Sequence, residues 1–317
     1  MHFIRLIRPL NLFIIGLTMY GLGWYLEGIS TYIEGSGLLS MEFALLVLST
    51  IMIAAAGNII NDYFDVKADR INKPNRLIIG KFVKRRVAIV THWVINFFAF
   101  VIALYLSWKL DTFWYLFIHL FSINLLWYYS MHLKRKFLIG NILIALLTAL
   151  VPILVGFYYH NIQSISASHF EQNLAPFPLD TNLNFILLLS FCLAGFAFVL
   201  NLAREIVKDM EDVEGDKKIH AKTLPIVLGY SKSKIITALI LCTAIIGAFV
   251  TFSFFTNIEI NVLFPIGISA VFVLICLILL PKAKTQRQLK IINGFIKLSM
   301  IAGLISPVYW KLLLIYG

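Results

Sequence analysis

Apolar residues run through this chain in long blocks, and charge is confined to the gaps between them. A first run follows Pro9 and ends near Leu26; others cover roughly 41–61, 87–107, 112–130, 137–158, 183–205, 234–255, 259–280 and 294–315. Each approaches the ~20 residues an α-helix needs to cross a bilayer core. Strand-like alternation is absent, which argues for helices rather than a barrel. The pattern predicts an all-α integral membrane bundle of nine transmembrane helices, in one domain over 1–317. The first run is long for a signal peptide and no A-x-A-like cleavage site follows it, so it is expected to remain as a helix. Between 159 and 182 lies a long loop without Lys or Arg, to which no function attaches.

Charge orients the bundle. With the N-terminus on the cytoplasmic side, all of the 27 Lys and Arg residues except Lys109 and Lys311 fall on that side. This is the asymmetry expected of membrane proteins, and it places the C-terminus outside. The net charge of +11 therefore reflects topology and attraction to membrane lipids, and no nucleic-acid partner is expected. Composition agrees with a membrane setting: 60% of residues are hydrophobic and 14% charged, against about 25% charged in soluble domains. Cys192, Cys242 and Cys276 lie inside apolar runs and read as small core residues without disulfides. The seven histidines are scattered; only His132 and His220 share the acidic side described next.

Nine of the 16 acidic residues lie on the inner side, all in two stretches at the ends of the second and sixth apolar runs. The first contains Asn58, Asn61, Asp62, Asp65 and Asp69. On a helix turning ~100° per residue these five share one ~100° sector. Asp62, Asp65 and Asp69 recur as Asp209, Asp212 and Asp216 at an offset of 147, Glu205 stands where Asn58 stood, and Gly80 recurs two residues further on as Gly229. Glu211 and Glu214 fall off that sector and are expected on a solvated helix surface. Four runs separate the two stretches, so they cross the bilayer in the same direction and can face one cavity. Crowded carboxylates repel unless a cation intervenes, and a hard divalent cation with oxygen ligands is the natural partner.

The same side is rich in cations: Lys67, Arg70, Lys73, Arg76 and Lys81, then Lys134, Arg135 and Lys136, then Lys217, Lys218 and Lys222. Carboxylates with basic side chains suit a magnesium-bridged diphosphate, and the apolar bundle suits a lipid tail. A lipid diphosphate satisfies both. A secondary transporter is the alternative from another class, although its ionisable groups are expected near the bilayer midplane. A non-catalytic lipid-binding scaffold is a third reading.

The N-D-Y-F-D-x-x-x-D stretch and the later D-x-x-x-D stretch resemble the two aspartate-rich motifs of the UbiA superfamily of intramembrane prenyltransferases. The resemblance covers nearly the whole chain. It implies nine helices around a central cavity, Mg²⁺ as cofactor, a polyprenyl diphosphate donor, and a lipid or aromatic acceptor. By position, the metal-binding residues are Asn61, Asp62, Asp65, Asp69, Asp209, Asp212 and Asp216, with Asp65 and Asp212 the catalytic pair. Tyr129, Ser130, Lys134 and Arg135 resemble a diphosphate-side element, and Arg8 and Asn11 the R-P-x-N of the first helix. Asn58, Arg70 and Lys222 join them as substrate-side candidates. Within the superfamily, the stretches 204–216 and 69–74 are most similar to the digeranylgeranylglyceryl phosphate synthase branch. That branch implies geranylgeranyl transfer to geranylgeranylglyceryl phosphate; an aromatic quinone precursor is the other acceptor. Two departures stand out: the family's R-P-I-P-S-G is here Arg76, Leu77, Ile78, Ile79 and Gly80, and His220 stands where Gly is common.

Overall fold

A computed structural model describes residues 2–29, 37–72, 77–171, 180–254 and 263–316. Within them each apolar run is helical. A short α1 (His2–Leu6) precedes α2 (Pro9–Ile29), α3 (Met41–Asn72), α4 (Arg85–Lys109) and α5 (Trp114–Met131). A 3-10 turn, Leu133–Arg135, leads into α6 (Ile139–Glu171), α7 (Asp180–Lys218), α8 (Leu224–Phe254), α9 (Phe264–Leu279) and α10 (Gln286–Tyr316). Among the described residues the only strand-like pairing is an isolated bridge between Ile79 and Val83.

The helices outrun the apolar blocks. α3 continues to Asn72, α7 to Lys218, and α10 starts at Gln286, because Asp, Glu, Lys and Arg end a hydrophobic block without ending a helix. The expected loop at 159–182 is helical up to Glu171 and again from Asp180; residues 172–179, with Pro176 and Pro178, lie outside the described residues. Seven helices (α2, α3, α4, α6, α7, α8 and α10) are long and apolar enough to cross a membrane by length and composition. That is two fewer than expected. α9 has only 16 residues. α5 is diluted by Trp114, Tyr115, His119, Asn124, Trp127, Tyr128 and Tyr129.

The outer faces carry exposed apolar side chains such as Trp93, Phe97, Val101, Ile235, Leu239, Phe249 and Ile278. A helix that is apolar all round belongs in lipid. Inside, two cores form. One packs α2, α3, α6 and α7 through Met19, Leu22, Phe43, Leu46, Val155, Tyr158 and Tyr159. The other packs α7 to α10 through Ala203, Val207, Met210, Leu241, Cys276 and Ile296. A third, smaller cluster (Leu6, Ile59, Val66, Ile79, Ala88) pins α1 and the segment before α4 onto α3. α7 touches α3, α6, α8 and α10, so it joins the two cores.

Backbone conformation marks the joints. Arg8, whose φ is 56°, separates α1 from α2, and Pro9 opens α2 at a first-turn position that proline favours. The repeated glycines Gly80 and Gly229 have φ of 87° and 82°, a region open chiefly to glycine. His220, just past the end of α7, has φ 56°. This explains why glycine suits that position. The left-handed conformation costs a non-glycine residue ~1–2 kcal/mol, and glycine returns part of that as chain entropy. His220→Gly should therefore stabilise the protein by about 0.5–1 kcal/mol, seen as a rise in the midpoint of thermal unfolding in detergent. A fall would mean that the imidazole holds a contact worth more than the strain.

Candidate active site

The C-terminal parts of α3, α5 and α7 meet around one lysine. Lys134, in the turn after α5, donates to Asn61 Oδ1 at 2.9 Å and forms an ion pair with Asp65 on α3. Asp65 is buried, at 8% exposure. Burial alone would lower the Lys134 pKa, but Asp65, Tyr129 and Asp69 outweigh it and raise it above the ordinary lysine range. Lys134 is therefore a permanent ammonium. From α7, Asp216 lies within electrostatic reach of both Asp65 and Lys134, as well as of Asp212. Lys134 thus interacts with carboxylates of both stretches.

Arg8, turned inward by the break before α2, bonds Asp62 Oδ1 through Nη2 at 2.5 Å. Asn58 Nδ2 donates to the Ile7 carbonyl at 3.0 Å and so fixes that break against α3. Arg135 Nη2 reaches the Phe64 carbonyl at 3.4 Å. On α7, Asp209 accepts from Asn141 Nδ2 of α6 at 2.8 Å. Tyr129 is buried, within electrostatic reach of Lys134, Glu205, Asp65 and Asp209.

A cavity of about 270 Å³ lies between α2, α3, α5, α6 and α7; none of the six aspartates lines it, nor does Lys134 or Arg135, and the aspartate site meets it at Asn61, which Lys134 bonds. Arg8, Asn11, Asn58, Asn61 and Tyr129 line it, as expected from sequence. A second, almost wholly apolar cavity of about 190 Å³ adjoins it and shares Ile15, Thr148 and Val151 as a common wall.

Several expectations need correction. Of the expected site residues, Asp62, Asp65, Asp69, Asp209, Asp212, Asp216, Lys134, Arg135, Arg70 and Lys222 line neither cavity; Arg70 and Lys222 are also exposed, and the Lys222 backbone N–H donates to the Arg135 carbonyl at 2.8 Å. Lys73 and Arg76 lie outside the described residues. Glu211 is not solvated: it is buried and accepts from Asn293 Nδ2 of α10 at 2.9 Å, whereas Glu214 is exposed. Asn201, Arg204, Glu205 and Lys208, which line the polar cavity from α7, are not among the expected site residues. Glu205 is visible in the sequence as the counterpart of Asn58, and Arg204 and Lys208 by their i, i+4 spacing around it.

Whether these residues suit Mg²⁺ is decided by their chemistry. The donors are all hard oxygens, from two helices. Among the described residues no three His, Cys, Asp or Glu side chains converge as a ready-made cage. Mg²⁺ is typically held by one or two carboxylates and completed by substrate phosphates and water, so the set fits.

Comparison with known proteins decides the family. The model of the UbiA prenyltransferase family matches residues 28–301. The chain belongs to this family. Among relatives of this UbiA protein are two digeranylgeranylglyceryl phosphate synthases. That of Pyrococcus horikoshii is 35% identical over 66% of this chain, and the match spans 64% of that relative's length. That of Pyrococcus abyssi is 32% identical over 78% of this chain and 76% of its own. A solved structure from work on digeranylgeranylglyceryl phosphate synthase in membranes superposes with a TM-score of 0.66 at 25% identity, covering 97% of this chain and 96% of that one. A UbiA homologue from Archaeoglobus fulgidus bound to GPP and Mg²⁺ shares the fold, with a TM-score of 0.55 at 18% identity over 96% and 99% of the two chains.

Proposed function

We propose that this UbiA-family chain transfers a geranylgeranyl group from geranylgeranyl diphosphate to the free hydroxyl of geranylgeranylglyceryl phosphate, forming an ether lipid. The observation that carries this is the meeting of carboxylates from both aspartate stretches at Lys134, next to a polar cavity that adjoins a second, apolar one. Two adjoining cavities suit a reaction that joins two long-tailed lipids. The relatives named as synthases of such a lipid support the same choice.

In the reaction, the bond between the allylic C1 and the diphosphate oxygen breaks, and its electron pair leaves with the diphosphate. The acceptor hydroxyl oxygen bonds to C1, and its proton is lost to water or to the departing diphosphate. Asn61, Asp62, Asp65, Asp69, Asp209, Asp212 and Asp216 would hold Mg²⁺, with Asp65 and Asp212 central. When bound, Mg²⁺ neutralises the charge growing on the leaving diphosphate. Lys134 and Arg8 set the positions of Asp65 and Asp62 and offer cations to phosphate oxygens. The buried Tyr129 face borders the place where positive charge develops on the prenyl carbon. Apolar walls exclude water that would otherwise capture it.

In this reading all of α2 to α10 cross the bilayer as one domain over 1–317. The N-terminus and the aspartate faces lie on the cytoplasmic side and the C-terminus outside, in keeping with the distribution of Lys and Arg.

The test is a transfer assay on detergent-purified protein with geranylgeranyl diphosphate, in Mg²⁺ or EDTA. Geranylgeranylglyceryl phosphate and an aromatic acid are supplied as parallel acceptors. The expected result is Mg²⁺-dependent product on the glycerol phosphate. Product on the aromatic acid alone would keep the mechanism and overturn the acceptor. Diphosphate binding that Mg²⁺ does not strengthen would overturn the role given to the two aspartate faces.

A further inference from the structure

We propose that Arg204 and Lys208 form a phosphate subsite that binds the acceptor's phosphomonoester on the cavity side of the second aspartate face, and that Glu205 positions both cations. This rests on the acceptor reading above and specifies how that acceptor is recognised.

Both side chains line the polar cavity, together with Asn201 and Glu205. Arg204 Nη1 bonds Glu205 Oε1 at 2.7 Å and Asn201 Oδ1 at 2.8 Å; Lys208 Nζ bonds Glu205 Oε2 at 3.0 Å. Asn201 is held in turn by its Nδ2, which donates to Thr148 Oγ1 of α6 at 2.7 Å. One carboxylate thus spans two cations, and the trio carries a surplus positive charge. The Glu205 side chain is 8% exposed, those of Arg204 and Lys208 20% and 28%. Glu205 is therefore buried while the cations keep a face toward the cavity. A structural ion pair needs one cation for one carboxylate; here a second cation shares Glu205, and both line the cavity, where a phosphate can meet them. Lys297 of α10 adds further positive potential, lying within electrostatic reach of Arg204, Lys208, Glu205 and Glu211. Asp209, next along α7, accepts from Asn141 and, like Asp216, lies within electrostatic reach of Lys208.

Arg204 is set back from the diphosphate end, and Lys208 borders it beside Asp209. At 1.5 Å rise per residue, Lys208 lies about 6 Å and Arg204 about 12 Å along α7 from Asp212. The glycerol of the acceptor and the reacting C1 of the donor span such a gap. A phosphomonoester fits because its oxygens accept from a guanidinium fork and an ammonium together. An aromatic acceptor would have less use for two cations.

The experiment compares geranylgeranylglyceryl phosphate with the same lipid lacking phosphate, geranylgeranylglycerol. Wild type, Arg204→Gln, Lys208→Gln, the double variant, Arg204→Lys and Glu205→Gln are each measured with saturating donor. Wild type should favour the phosphorylated acceptor. Each Gln variant of a cation should raise the KM for it by roughly ten- to hundredfold, leaving the KM for donor within about twofold by the same scale. The preference should collapse in the double variant and return in part in Arg204→Lys. Glu205→Gln should weaken the preference without changing the KM for geranylgeranylglycerol, an effect that mere loss of packing would not give. Because the preference is a ratio within one protein, partial misfolding does not change it. If a variant turns over too slowly, calorimetric binding of the phosphorylated lipid replaces KM, and wild-type affinity there overturns the proposal. An unchanged preference, or a rise confined to donor KM, also overturns it. A wild type that uses both acceptors equally overturns the subsite alone. One that prenylates neither overturns the acceptor reading and the subsite with it.

Discussion

Asp65→Asn, and separately Asp212→Asn, should lower prenyl transfer by roughly a thousandfold, the upper end of what removing one preorganised charge costs an enzyme. Asparagine keeps the size of aspartate and one carbonyl oxygen, so the helices have no reason to repack. It loses the negative charge, and with it most of its affinity for a hard divalent cation. Asp65 is the stronger case, because it is buried and already holds Lys134. Asp212 belongs to the other face, and its neighbour Asp216 reaches across to Asp65. The measurement is initial rate against Mg²⁺ concentration, with the amount of protein in the membrane fraction followed in parallel. Normal insertion with lost turnover is the expected pair of results. Unchanged turnover in either variant would remove the two-face argument.

Lys134→Met should cost both stability and activity. It leaves the buried Asp65 carboxylate beside Asn61 without its cation, and breaking a buried pair from one side costs about 3–5 kcal/mol. The ammonium also interacts with carboxylates of both stretches, so turnover should fall with it. Pairing Lys134→Met with Asp65→Asn separates these effects. With the orphaned charge gone, the double variant should recover most of the lost thermal stability and none of the activity. If it unfolds as early as Lys134→Met alone, then Lys134 supports the fold through packing rather than by compensating Asp65.

The bundle was legible where apolar blocks mark helices, and less so where helices leave those blocks. The run ending at 61 hides a helix that continues to Asn72, and that extension carries Asp62, Asp65 and Asp69. Helical angles placed these three on one sector. They could not say which cation each carboxylate meets, because Arg8 and Lys134 arrive from 54 and 69 residues away in sequence. Glu211 shows the same limit from the other side: its helical angle points away from the site, yet α10 covers it with Asn293. Arg204 and Lys208 looked like ordinary inner-side cations, and only the packing of α7 against α6 and α3 turns them toward the cavity. Arg70 and Lys222, equally plausible from sequence, stay at the surface.

The parallel course of α3, α5 and α7 has an electrostatic result of its own. Each ends at the site by its C-terminus, and the aligned peptide dipoles of a helix leave roughly half a negative charge there. Three such ends add to the potential of the aspartates at a place where their own repulsion is already high. This backbone field draws cations to the mouth of the cavity before any side chain is counted, and Lys134, directly after α5, occupies a position such a field favours. No single substitution removes it. Aspartate variants should therefore lose the geometry needed for transfer more completely than they lose their attraction for divalent cations.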